Sequence, residues 1–222
     1  MKNDSLNIVA FRRKLLYWFK GNGRKFPWRE TSDPWNILIA EMMLRRTKAD
    51  QVEKVYRKFI RNYRTPKGLL RGSPEKIKNI LNPLGLNWRQ QNFFDLARAL
   101  VKDFDSNIPS TRDELKQLPG VGDYVAGAVL SIGFGKKEWI VDSNVVRVFK
   151  RYYDLKTSNE ACRDKPVIEL ARAYANTTRP KEANLAILDL SALICRPTNP
   201  ICSDCPVRMG CTYANHKRKP RI

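Results

Sequence analysis

Four cysteines set the tightest constraint on this chain. Cys195, Cys202, Cys205 and Cys211 follow the spacing C-x6-C-x2-C-x5-C, which puts four thiols within seventeen residues. Thiolates at that density close around one compact soft-metal centre, either zinc or an iron–sulfur cluster. Spacing alone leaves the two open, although the proline-rich, irregular loop over 196–201 suits the wider cluster. A disulfide framework does not suit an intracellular chain of 222 residues with a strong helical pattern. The fifth cysteine, Cys162, is read as a free thiol.

The stretch 118–142, LPGVGDYVAGAVLSIGFGKKEWIVD, adds a second constraint. Leu118-Pro119-Gly120-Val121-Gly122 predicts a tight turn between two helices. Ser110 and Thr111, with Asp113 and Glu114 three residues on, supply an N-cap and capping box for the first helix. The second should run over 123–134. Gly120 and Gly122 are expected to take backbone conformations closed to other residues and to leave no side chain in front of the turn. Amides entering a helix N-terminus then point outward, where the helix dipole adds partial positive charge. That is a site for a phosphate, and it grips a nucleic-acid backbone without reading sequence.

Charge agrees. Lys and Arg number 42 against 22 Asp and Glu, a net charge of +20, which calls for a polyanionic partner. The basic residues are spread along the chain and not gathered on one amphipathic helix, so nucleic acid is favoured over a membrane surface. No apolar run reaches membrane-spanning length, since Glu41 and Asp189 break the longest candidates. The N-terminus carries acids before its apolar residues and lacks a small-residue cleavage site, so an intracellular protein of cytoplasm or nucleoid, not a secreted one, is expected.

Apolar residues recur at helical spacing over 5–20, 52–63, 90–103, 144–153, 165–175 and 182–194, and period-2 alternation is absent. The segment 35–46 is apolar on most of its circumference, which predicts a central buried helix with one acid inside it, Glu41. The fold class expected is all-α.

The hairpin followed by Val141-Asp142-Ser143-Asn144, together with the cysteine spacing, resembles the helix-hairpin-helix DNA glycosylases of the endonuclease III superfamily over nearly the whole chain. The resemblance implies a [4Fe–4S] cluster on the four cysteines. It also implies two helical domains, a six-helix barrel-like one over 27–137 and a second made of 1–26 plus 138–222. Double-stranded DNA with a mismatched or damaged base is the implied partner, bound by a monomer that flips the target nucleotide out of the stack. Asp142 matches the family's essential acid, which stabilises charge on the sugar or prepares a water. Asn144 matches its asparagine, and Gly120, Val121 and Gly122 match the residues that grip the backbone.

The position just inside the helix after the hairpin is lysine in relatives that form a Schiff base and cut the strand. Here it is Tyr124, so a monofunctional enzyme is implied. The segment from Phe26-Pro27-Trp28-Arg29 to Ala40-Glu41-Met42-Met43-Leu44-Arg45-Arg46-Thr47 looks like the adenine glycosylase pattern, with Glu41 as its glutamate. Arg45 and Arg46 replace two glutamines of that pattern and, with Tyr124, are similar to the glycosylases of T·G and U·G mismatches. The second domain that adenine-excising relatives use to read 8-oxoguanine is not found after the cysteines. Glu41 is expected to carry a raised pKa and share a proton with the leaving base. Tyr124 is expected against the flipped pyrimidine, Arg45 against the estranged guanine, and Leu86 as a wedge in the base stack. Arg196 and Arg208 are the basic residues that the cluster loop would present to DNA. Thymine or uracil excision is the function implied. Adenine excision opposite guanine or 8-oxoguanine, and a DNA-structure-binding protein without activity, are the two rivals.

Overall fold

The computed structural model describes residues 2–85 and 90–216, with side chains from residue 8 onward. Among these residues every regular element is helical, as the apolar spacing requires. The chain divides into two compact units, Lys25–Phe134 and Met1–Arg24 with Gly135–Ile222. It starts in the second of these with α1 (Lys2–Asn22), which buries Ile8, Phe11 and Leu15.

The middle unit is built around α2 (Pro34–Leu44). Asp33 caps it by accepting from the Trp35 N–H at 2.9 Å, and Pro34 occupies the first turn, where a missing N–H costs nothing. All residues from Ile37 to Met43 are buried, because this helix has no polar face. α3 (Ala49–Asn62) is amphipathic instead and turns Val52, Val55, Tyr56 and Phe59 inward. Two short helices follow, α4 (Pro66–Leu70) and α5 (Pro74–Leu81), each opened by a hydroxyl cap, Thr65 on the Gly68 N–H and Ser73 on the Lys76 N–H. Phe93, Leu96, Ala97 and Leu100 of α6 (Gln90–Asp103) close the core, with Phe93 against Phe59 at 5.7 Å between ring centroids. Full burial of each such ring or branched chain is worth about 1.5–3 kcal/mol. The unit ends with α7 (Arg112–Gln117) and α8 (Asp123–Ala128), and α8 continues over Val129–Gly133 as a wider turn in which the Phe134 N–H reaches the Val129 carbonyl at 3.3 Å.

The other unit packs α1 with α9 (Ser143–Tyr153), α10 (Lys165–Ala175), α11 (Pro180–Leu193) and α12 (Thr212–His216). Its centre is aromatic. Phe11 meets Tyr152 edge-on at 4.6 Å and Tyr174 at 5.8 Å. The Tyr174 hydroxyl is fully buried and donates to the Ala183 carbonyl at 2.7 Å, and burial raises its pKa. Asp189 is also sealed off. It accepts from the Arg24 backbone N–H and Nε, both at 2.7 Å, so a buried charge on α11 is matched by a cation two residues past the end of α1.

Candidate nucleic-acid interface and active site

The hairpin begins at the expected capping box: Thr111 Oγ accepts from the Glu114 N–H at 3.3 Å and its hydroxyl donates to the Glu114 carboxylate at 2.6 Å. α7 and α8 are clipped together by Arg112, whose Nη1 donates to the Asp123 carbonyl at 2.7 Å, and by a Lys116–Asp123 ion pair at 2.9 Å. Gly120 has φ +81°, and a Cβ there would lie 2.9 Å from Met42 Cε and 3.1 Å from Arg45 Nη1. Backbone and surroundings therefore both favour glycine at 120. Gly122 differs from the sequence expectation. Its φ of −105° and ψ of −176° are extended backbone open to any residue, and a Cβ would meet nothing within 4 Å. What glycine provides at 122 is open space before the first amides of α8, which receive no side-chain cap from it. Val121 spends its side chain on the core, at 7% exposure.

α2 delivers two of the predicted residues to this unit one turn apart. Glu41 is buried at 5% exposure within the apolar helix. Arg45 leaves the helix end and donates from Nη1 to the Gly120 carbonyl at 3.3 Å, so it lies against the hairpin. Arg46 is exposed and takes φ +58°, a left-handed conformation that costs a side-chain-bearing residue about 1–2 kcal/mol. Nothing in the residue pattern marks that turn. Tyr124 is the second residue of α8 and half-buried, and no amine stands at that position. Leu86 lies outside the described residues.

In the terminal unit Asp142 is the N-cap of α9. Oδ1 accepts from the backbone N–H groups of Asn144 at 2.9 Å and Val145 at 2.8 Å, and Oδ2 accepts from Asn144 Nδ2 at 2.7 Å. Three donors fix the plane of a half-buried carboxylate. Asn144 is fixed in turn, since its Oδ1 accepts from Arg147 Nη1 at 2.9 Å. The same guanidinium reaches the Cys195 carbonyl through Nε at 2.9 Å and the Ser191 carbonyl through Nη2 at 3.0 Å. Burial pulls the Arg147 pKa below its ordinary value, while Cys195 and Asp142 pull it up. Position 147 was not singled out in the sequence; its partners lie 44 and 48 residues away.

The four cysteines are all half-buried and unbridged. Burial pushes the Cys205 thiol up to about 11, and Cys211, Cys195 and Cys202 add to the rise, so the four lie near enough to repel one another as thiolates. Arg151 staples their loop. Its Nη1 approaches Cys195 Sγ at 3.5 Å and donates to the Arg196 carbonyl at 2.7 Å, Nη2 donates to the Pro197 carbonyl at 2.9 Å, and the guanidinium covers the Tyr213 ring at 4.7 Å.

The sequence pattern of the HhH-GPD superfamily base excision DNA repair proteins matches residues 39–190, a span that holds both the hairpin and Asp142. The chain belongs to this superfamily. Thymine-DNA glycosylase of Aeropyrum pernix is 36% identical over 96% of this HhH-GPD chain and 98% of its own length. A thymine/uracil-DNA glycosylase of Methanothermobacter thermautotrophicus is 37% identical over 92% and 93%. Among solved structures, a thermostable thymine-DNA glycosylase superposes with a TM-score of 0.90 at 35% identity, covering 97% of this chain and 99% of the other. The all-helical HhH-GPD fold is therefore the one expected from the sequence.

The cysteines lie beyond the matched span, so their fit to a metal rests on their own arrangement. Among the described residues no three His, Cys, Asp or Glu side chains converge closely enough to hold a single ion. Zinc would need all four sulfurs within about 2.3 Å of one point. A [4Fe–4S] cluster takes one thiolate at each iron of a larger body, and the donor set, four half-buried thiols within seventeen residues, has the number and softness that either centre takes. No helix among the described residues is long and apolar enough to cross a membrane.

Proposed function

We propose that this HhH-GPD protein is a monofunctional DNA glycosylase that removes thymine or uracil mispaired with guanine from double-stranded DNA. The observation that carries the substrate is the likeness, over more than nine-tenths of the chain, to proteins named thymine- and thymine/uracil-DNA glycosylases. Tyr124 in place of an amine and the Arg45–Arg46 pair agree with it.

In this reading the bond from C1′ to the pyrimidine nitrogen breaks with both electrons leaving on the base, and water supplies the oxygen that replaces it. Asp142, oriented by its three donors, faces the positive charge that develops on the sugar and accepts a proton from the attacking water. Asn144 sets the carboxylate plane. Tyr124 and Glu41 belong to the base pocket, where the buried Glu41 shares a proton with the departing ring. Gly120, Val121 and Gly122 hold the backbone phosphate. Arg45 and Arg46 contact the strand opposite, where guanine offers O6 and N7 to a guanidinium. Cys195, Cys202, Cys205 and Cys211 would hold a [4Fe–4S] cluster, which cross-links the loop and takes no part in the bond cleavage. The hairpin and base pocket fall in the domain over 27–137, and the acid and the cluster in that formed by 1–26 and 138–222; the protein acts as a monomer.

Single-turnover release from T·G, U·G, A·G and matched duplexes, with and without alkali, tests the proposal. Thymine or uracil should be freed and strands should break only after alkali. Release of adenine alone would overturn the substrate, breaks without alkali would overturn the monofunctional assignment, and tight binding with no base released would leave a DNA-structure-binding protein.

A further inference from the structure

The outer face of α1 carries a feature that base excision does not use. Among the described residues four large hydrophobic side chains are exposed, and two of them, Val9 at 50% and Tyr17 at 81%, line one groove. The groove, about 350 Å³ in volume, runs between α1 and the start of α11 and also contains Arg12, Arg13, Leu16, Lys20 and Arg179. Val9, Arg13, Tyr17 and Lys20 follow at intervals of four, four and three, so apolar and cationic side chains alternate along one ridge of the helix. The opposite ridge, Ile8, Phe11 and Leu15, is buried in the core.

Two of the four cations are already engaged. Arg12 donates to the Ala173 and Tyr174 carbonyls at 2.9 Å each, and Arg179 pairs with Glu182 at 3.3 Å. Arg13 and Lys20 are exposed and form no ion pair among the described residues. Position within the unit separates the groove from Asp142. Arg12 grips the C-terminal end of α10. The N-terminal end of that helix packs on the 161–163 turn, which lies against Ser143 and Val146 at the start of α9, beside Asp142. Eleven residues of helix put about 16 Å between those ends.

From this we infer that the α1 groove is a docking surface for an acidic amphipathic helix of a partner protein. Its apolar side chains would enter beside Val9 and Tyr17, and its Asp or Glu residues would pair with Arg13 and Lys20. Helix-in-groove recognition reads anchors at such spacings, and an exposed tyrosine flanked by cations is a common centre for them. Charge alone would suit a DNA backbone equally well. The exposed Val9 and Tyr17 decide between them, because phosphates offer nothing to an isopropyl group or to the apolar body of a phenol.

The probe is a side-chain-stapled, fluorescein-labelled helix of fourteen residues with Leu at two positions four apart on one face and Glu flanking both. A control of equal charge has Ala for each Leu. Binding to the full chain is followed by anisotropy at physiological salt. The Leu peptide should bind at least tenfold more tightly than the control. Tyr17→Ala should erase that difference, and Arg13→Glu with Lys20→Glu should weaken the Leu peptide at least tenfold. Base release from a mismatched duplex should stay within twofold of wild type in all of these. Equal binding of the two peptides, or no effect of Tyr17→Ala, would overturn the inference. So would a Tyr17→Ala or doubly substituted protein that loses duplex affinity by the same factor as peptide affinity, which would make the groove a DNA surface.

Discussion

Replacing each glycine of the hairpin by alanine separates the two reasons a turn needs glycine. At Gly120 the φ of +81° forces alanine into the left-handed region at a cost of about 1–2 kcal/mol. The new Cβ also overlaps the end of the Met42 side chain at 2.9 Å, which is flexible enough to move, so the total should be about 2 kcal/mol. For a chain of 222 residues that lowers the melting temperature by roughly 4–8 °C. At Gly122 the backbone is ordinary and the space is empty. Reduced freedom of the unfolded chain stabilises alanine by about 0.4–1 kcal/mol, and its poorer capping of α8 offsets about as much, leaving stability unchanged. Affinity should respond in the opposite order. A methyl group standing before the first amides of α8 holds a phosphate off and removes about one charge-assisted hydrogen bond, roughly 1.5–3 kcal/mol or 10–100-fold in Kd. Calorimetric melts and fluorescence polarisation with a mismatched duplex at fixed salt read both quantities. A Gly122→Ala protein that melts like wild type and binds the duplex equally well would refute the phosphate site.

Asp142→Asn keeps a good helix cap, so its melting temperature should change by less than about 2 °C while base release falls at least about 100-fold with duplex affinity retained; stopped single-turnover assays check it, and equal release would remove Asp142 from the chemistry. Arg147→Met strips a donor from Asn144 and from two carbonyls, and should cost roughly 2–4 kcal/mol in urea unfolding and slow base release without weakening duplex binding. Cys162 is exposed as a residue, yet partial burial first and then Asp142 and Asp164 raise its thiol, so at pH 8 it holds less thiolate than a free cysteine. Maleimide should therefore modify it slowly in the cluster-loaded protein and faster in Asp142→Asn; equal rates would show that the charge of Asp142 is not felt there. Iron and sulfide analysis of the purified protein should give about four of each, and Cys205→Ser should lower both.

How much of this could be read in advance depended on whether the cause was local. The buried helix around Ile37–Met43 was legible because an apolar circumference has one physical outcome, and the Thr111 capping box was legible because donor and acceptor lie three residues apart. Asp142 is marked by the family resemblance of Val141-Asp142-Ser143-Asn144, and the helical spacing over 144–153 puts it at the start of α9. Gly122 is expected from the sequence both to take a backbone closed to other residues and to leave space before the turn; its backbone is ordinary and only the space is there. α4 is not legible in advance because Pro66–Leu70 is too short to establish a period, though Thr65-Pro66 marks its start. Arg147 and Arg151 were out of reach: each satisfies carbonyls more than forty residues away, and an arginine on a helix face looks the same in sequence whatever it touches.

Those two arginines also tie the end of α11 and the start of the cysteine loop to α9. A helix end leaves its last carbonyls without partners, and here Ser191 and Cys195 receive theirs from Arg147, a residue of α9. The same side chain orients Asn144, which holds Oδ2 of Asp142. One turn further along α9, Arg151 closes on Cys195 Sγ and on the Arg196 and Pro197 carbonyls. The start of α9 thus fixes the carboxylate, and its next two turns fix the beginning of the loop. Disorder in that loop would free Arg147 before it disturbed any residue at the carboxylate itself. Loss of the cysteine centre should then appear in the rate of base release while the hairpin, in the other unit, still binds DNA.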